Sequence, residues 1–145
     1  MEQYFALLRQ CPLFQGISPQ ELSQMLPCLG TRHMRVNKHQ MIFRAGDPAR
    51  WVGLVLSGAV HVIQEDYYGN RSIVSTFQPP QLFGEAFACA GVASLPVSVE
   101  AAQDSTLLLL DCQRAIRTCS DACAFHQRLL SNLLHVVAAK NLLLT

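Results

Sequence analysis

From residue 31 to residue 110 the chain is cut into short runs rich in Val, Ile, Phe and Thr, each closed by turn residues. Eight such runs stand out, at 34–36, 41–43, 52–56, 60–64, 72–77, 82–83, 97–101 and 105–110. Gly46-Asp47, Ser57-Gly58, Gly69-Asn70 and Pro79-Pro80 punctuate them, and dipeptides of this kind readily reverse a chain. Runs this short cannot bury a face alone. Together, with tight turns between them, they predict a mainly β fold in which the strands close on one another as a barrel or double-sheet jelly roll. The segment 67–70, Tyr-Tyr-Gly-Asn, reads as a hairpin tip, because Gly and Asn tolerate positive φ.

On either side the apolar period is helical. Tyr4, Phe5, Leu7 and Leu8 recur at helical spacing before Pro12 stops them. Ser18, Pro19 and Glu21 form the signature of a helix start: a capping hydroxyl, a proline at the first helical position and a capping-box acid. Asp111 is placed to cap a short helix through Arg117, and Ser120 or Asp121 to cap a longer one reaching the C-terminus. In that last helix Leu130, Leu133, Val137 and Leu144 form one apolar stripe, and Leu129, Val136 and Leu143 a second. A helix apolar on two faces requires cover on both. The barrel supplies one cover, and the same helix of a second copy is expected to supply the other. The expected organisation is therefore N-terminal helices over 1–30, a β-barrel over 31–110 and C-terminal helices, including a long dimerisation helix, over 111–145.

The chain has 145 residues, enough for one domain with a real core. Half of its residues are hydrophobic and only 14% are charged, which excludes a disordered chain. Its net charge of +1 carries no electrostatic footprint for nucleic acid, so DNA binding is not expected of this chain by itself. The first residues lack the basic-then-apolar pattern of a signal peptide. Ser131, Asn132, His135, Lys140 and Asn141 interrupt the apolar C-terminal run, so no membrane association and a cytoplasmic location are expected.

The segment Gly46 to Gly58, with Asp47, Ala49 and an apolar run between its end glycines, is followed by Phe83-Gly84-Glu85-Ala86-Phe87. Together they resemble the cyclic nucleotide-binding domain of the Crp/Fnr superfamily of bacterial transcription regulators, over nearly the whole chain from about Leu7. Gly46 and Gly58 fit tight barrel corners where a Cβ would clash. Gly53 departs from the pattern, because the family usually has a large apolar residue there.

The resemblance implies a phosphate-binding cassette, a short helix entered through Gly-Glu, with backbone donors and the helix dipole holding a cyclic phosphate. Gly84, Glu85, Ala86 and Phe87 match its entry, with Glu85 as the ribose hydroxyl acceptor. The family then has Arg followed by Ser or Thr and Ala. An ungapped alignment places Leu95, Pro96 and Val97 there. Leu95 lacks the charge, and Pro96 has neither a hydroxyl nor a backbone N–H. A cyclic phosphate beside Leu95 would be an uncompensated buried anion, costing several kcal/mol, where about 1.4 kcal/mol is tenfold in affinity. Tight cyclic AMP binding is not expected. Arg50 and Arg71, the alternative counter-charges, lie in other segments. The same alignment puts Val62, Val74 and Ser75 on the pocket floor and Val136, Lys140 and Asn141 over it. That lining suits a small, mainly apolar effector, with a carboxylate paired to Lys140 as one form, or a pocket filled by Phe87 and Leu95 that takes none.

Six cysteines, Cys11, Cys28, Cys89, Cys112, Cys119 and Cys123, include no CxxC pair, so free packed thiols are expected. Cys119 and Cys123, with Cys112 and His126 nearby, form the alternative, a redox or metal site. No His-x-His pair marks a cupin-type metal enzyme, and no nucleophile or acid–base pair is recognisable, so neither cofactor nor catalysis is expected. In related regulators the long helix leads into a winged helix-turn-helix; this sequence reaches Thr145 where that module would begin, leaving DNA contact to a domain outside it. The expected protein is an effector-sensing, homodimerising domain, with a cupin-like metal enzyme or a ligand-free dimerisation module as alternatives.

Overall fold

The computed structural model describes residues 4–117 and 124–144, without the side chains of Ala124, Phe125, His126, Leu143 and Leu144. Cys119, Ser120, Asp121 and Cys123 lie outside the described residues. Two short helices, α1 (Phe5–Gln10) and α2 (Pro19–Met25), and two 3-10 turns (Pro12–Phe14 and Leu26–Leu29) precede the strands. The strands are β1 (Arg32–Val36), β2 (Met41–Phe43), β3 (Trp51–Ser57), β4 (Val60–Glu65), β5 (Arg71–Phe77) and β6 (Leu82–Phe83). Helix α3 (Glu85–Ala90) then intervenes before β7 (Ser98–Ala101) and β8 (Ser105–Asp111), and α4 (Cys112–Ile116) and α5 (Ala124–Leu144) close the chain. The eight strands form two antiparallel four-stranded sheets, ordered β1-β8-β3-β6 and β2-β7-β4-β5. This is the jelly-roll arrangement expected from the short-run pattern.

The local signals act as their chemistry requires. Ser18 Oγ accepts from the Glu21 N–H at 3.2 Å, and Glu21 Oε1 accepts from the Ser18 N–H at 3.1 Å, closing the capping box of α2. Asp111 caps α4, its Oδ1 accepting from the Gln113 N–H at 3.0 Å. At the β4–β5 hairpin tip Asp66 Oδ1 accepts from the N–H groups of Tyr68 and Asn70, both at 2.9 Å.

Two cores share one sheet. Val55, Phe83, Val99, Leu107 and Leu109 fill the barrel. Val52, Leu54, Leu56, Leu108 and Leu110 face outward and meet the helices through Leu8, Phe14, Leu22, Leu29 and Leu129. β3 and β8 are thus covered on both faces, which is why β8 reads as an unbroken Leu107–Leu110 run rather than an alternating one. Each buried Leu there contributes about 1.5–3 kcal/mol.

Helix α5 lies against the Pro12–Phe14 turn. Asn132 Nδ2 donates to the carbonyls of Leu13 and Gln15, each at 2.9 Å, and Arg128 donates to the carbonyl of Gly16. Leu129, Leu133 and Val136 are buried in the chain's own core. Leu133 was expected on the partner-facing stripe. At about 100° per residue it sits beside Leu129 and Val136 instead, and that places it inward. Leu130 and Val137 are half-buried, whereas Leu134 is 71% exposed. The side chain of Leu144 is outside the described residues.

Candidate functional site

The expected cassette entry is built by a glycine. Gly84 follows β6 with φ +78° and is the N-cap of α3. A Cβ added there would stand 3.3 Å from the Trp51 carbonyl oxygen, so both the left-handed turn and the close approach to β3 favour glycine. α3 ends at Gly91, φ +66°. The segment after it is stitched to the turn before β3: the Leu95 N–H donates to the Asp47 carbonyl at 2.8 Å, and the Gly46 N–H donates to the Leu95 carbonyl at 2.9 Å. These two bonds hold Leu95 with its side chain inward, 8% exposed. They also engage the Leu95 backbone N–H, which removes it as a donor for an anion.

An apolar cavity of about 30 Å³ lies inside the barrel beneath α3. Of the residues expected at the site, Val62, Gly84, Phe87, Leu95 and Val97 line it. Phe43, Arg50, Trp51 and Val99 line it as well and were not anticipated as a wall. The volume holds about two water molecules, far below the ~300 Å³ or more of a typical ligand pocket. A wider, polar hollow of about 330 Å³ at the other end of β3, among Arg35, Asn37, Ser57 and Asp104, contains none of the expected residues.

The remaining expected residues lie elsewhere. Ser75 stands opposite Val62 in the β4–β5 ladder, and Val74 is the extra residue of a bulge, exposed on the outer face. Ala86, Pro96 and Asn141 are exposed, and Val136 belongs to the helix-side core. None of them borders the cavity.

Glu85 and Lys140 face away from the cavity and find each other. Lys140 Nζ donates to Glu85 Oε1 and, at 2.9 Å, to the Leu82 carbonyl, while sitting 5.1 Å from the centre of the Phe77 ring. Glu85 is buried, and its Oε2 has no hydrogen-bond partner. Lys140 was expected to offer its charge to an effector carboxylate. Glu85 already takes that charge, so such an effector would have to displace it.

The two alternative arginines are also committed. Arg71 pairs with Glu100 at 3.0 Å and with Glu65 at 3.6 Å. Arg50 borders the cavity, but its guanidinium holds the buried Asp111 carboxylate at 3.0 Å and stacks 4.7 Å from the Trp51 ring centre. Asp111 therefore caps α4 and neutralises Arg50 with the same group. Sequence spacing hides this contact, because 61 residues separate the two.

Gly53, the residue that departs from the family pattern, faces the ring of Phe83, whose Cζ would lie 2.2 Å from an added Cβ. The large side chain missing from β3 is supplied across the ladder by β6. Gly58, φ +85°, turns against Ser105, whose Oγ would lie 2.2 Å from an added Cβ.

Two antiparallel sheets with a helix inserted before β7 and a long helix after β8 define a jelly-roll sensor-type domain. The sequence profile of the cyclic nucleotide-binding domain matches residues 33–121, and the chain belongs to that family. The catabolite activator protein of Thermus thermophilus is similar at 26% identity and TM-score 0.70, over 90% of this chain and 58% of that one. The sensor domain of the transcriptional regulator DNR from Pseudomonas aeruginosa shares 21% identity at TM-score 0.74, over 96% and 86% of the two chains. A cyclic nucleotide-binding domain from Methylobacillus flagellatus shares 17% identity at TM-score 0.77, over 96% and 76%. The last two are likenesses of fold, and the chain spans less than two thirds of the Thermus regulator's length. No curated protein sequence matches it. No helix among the described residues is long and apolar enough to cross a membrane.

Proposed function

We propose that this chain is the effector-sensing part of a Crp/Fnr-type transcription regulator, working in the cytoplasm, whose effector is not a cyclic nucleotide. The observation that supports this reading is Leu95, a buried aliphatic side chain that lines the cavity and that the resemblance aligns with the family's arginine. Two cations beside the cassette are already paired, Lys140 with Glu85 and Arg50 with Asp111. An anion entering here would meet an apolar wall and would have to compete with those two pairs, a costly burial. The effector that suits this wall is small and mainly apolar, and it enlarges the cavity by moving Phe87 or Leu95. The reader of DNA belongs to a domain outside this sequence, and effector binding would reach it through α5.

Dimerisation is part of the proposal. Leu130, Leu134, Val137 and Asn141 follow one another at spacings of four, three and four, the seam of a two-stranded coiled coil. They flank the Leu129, Leu133 and Val136 face that the chain buries itself, with Val137 packed at its border and Leu134 and Asn141 exposed. Sedimentation of the full chain tests the pairing: the native protein should run as a dimer and Leu134→Glu as a monomer with an unchanged far-ultraviolet spectrum. Thermal shift with cyclic AMP and a panel of small aromatic and fatty acids tests the effector class. A midpoint raised by apolar acids and not by cyclic AMP supports it, and stabilisation by cyclic AMP contradicts it.

A further inference from the structure

Cys89 and Cys112 lie with their sulfurs 3.7 Å apart. Cys89 is in the last turn of α3 and half-buried, whereas Cys112 opens α4 and is fully buried. We propose that Cys89 and Cys112 form a hydroperoxide-sensitive dithiol site, whose disulfide clamps the cassette helix α3 to the start of α4.

The geometry is close to bonding. A disulfide needs its sulfurs at about 2.05 Å, so the two sulfurs, already in contact at 3.7 Å, have to close on each other to bond. The two thiols also divide the labour. Cys89 is the one that solvent reaches, and the hydrogen bond shared with Cys112 lowers its pKa against the opposing effect of burial. That same contact, with burial and the neighbouring Asp111 charge, pushes Cys112 up. Cys11, fully buried and raised to about 11 chiefly by burial, is not a competing nucleophile. Cys89 thiolate attacks one oxygen of the hydroperoxide. The O–O bond breaks, hydroxide leaves from hydrogen peroxide (alkoxide from an alkyl hydroperoxide) and Cys89 becomes the sulfenic acid. The Cys112 sulfur then attacks the Cys89 sulfur, the S–O bond breaks, and the Cys112 proton leaves with that oxygen as water. With hydrogen peroxide, two thiols and one peroxide give one disulfide and two waters.

The clamp matters because α3 is where everything meets. Phe87 presents α3 to the cavity, and Glu85 ties it to Lys140 of α5. Oxidation would fix α3 to α4 as well, whatever effector the cavity takes.

The test uses the full reduced chain, treated with stoichiometric hydrogen peroxide at neutral pH, alkylated with iodoacetamide and weighed. Glutamyl endopeptidase with trypsin cuts after Glu100, Arg114 and Arg117, separating Cys89, Cys112 and the Cys119–Cys123 pair onto different peptides. The expected result is a loss of two hydrogens, with the Cys89 peptide joined to the Cys112 peptide and released by dithiothreitol. In Cys112→Ala the reaction should stop at a Cys89 sulfenic acid that dimedone traps. In Cys89→Ser, which changes only the half-buried partner, Cys112 should stay reduced. Alkylation of both native thiols after peroxide, a bridge from Cys112 to Cys119 or Cys123, or oxidation of Cys112 in Cys89→Ser would each overturn the assignment.

Discussion

Glu85 and Lys140, 55 residues apart, are bonded to each other between the first turn of α3 and the C-terminal half of α5. The pair ties α3 to α5. Glu85 is 4% exposed and its second oxygen is unpartnered, so its stability depends on the single ammonium. Removing one member of a buried pair leaves a charge without compensation. Because the Lys140 side chain is 40% exposed, the cost is smaller than for a fully buried pair. Lys140→Met should lower stability by about 1–3 kcal/mol in urea unfolding. Glu85→Gln combined with Lys140→Met should recover much of that loss, and strictly additive losses would show that the two do not interact.

Gly53 and Phe83 form a complementary pair across the β3–β6 ladder. Gly53→Leu drives a side chain into the Phe83 ring and should cost about 1–3 kcal/mol. Phe83→Ala alone leaves a cavity and should cost about 3–5 kcal/mol. The double variant restores one large side chain to the site, so its loss should be well below the sum. Denaturant midpoints of the four proteins check this.

The Cys89 thiol should titrate lower than an ordinary cysteine, because the hydrogen bond it shares with Cys112 favours its thiolate. A depressed pKa means the reactive thiolate is already present as pH rises through the region where an ordinary cysteine, at about 8.5, is still protonated. The pH profile of Cys89 alkylation by iodoacetamide should therefore be shifted down from that of a cysteine without such a contact. Cys112→Ala removes that contact and should move the midpoint upward. An identical profile in the variant would contradict the hydrogen bond.

The β region was legible because short runs and turn dipeptides are local signals, and so were the caps at Ser18 and Asp111. Leu95 was legible too, through its spacing from Glu85. What could not be read was which distant side chain each charge or thiol would meet. Arg50 follows a turn and Asp111 ends a strand, and only the β3–β8 register brings Trp51 opposite Asp111. Lys140 reads equally well as a ligand contact or as the partner of Glu85, until the packing of α5 chooses. Cys112 invited comparison with Cys119 and Cys123 because they are close in sequence, whereas its described neighbour is Cys89 on another helix. The placement of Leu133 against Leu134 on α5 turned on 100° of helix rotation, and two apolar stripes leave that rotation undetermined.

A sensor whose effector is not a cyclic nucleotide, as proposed, has no phosphate site at Leu95 and Pro96. Calorimetric titration of the full chain with cyclic AMP tests it most directly. The native protein should show no saturable heat up to about 1 mM, a binding free energy weaker than about 4.1 kcal/mol. Leu95→Arg with Pro96→Ser, checked for an unchanged fold by circular dichroism, should gain at least about tenfold, or 1.4 kcal/mol. Micromolar binding of cyclic AMP by the native chain would contradict the account.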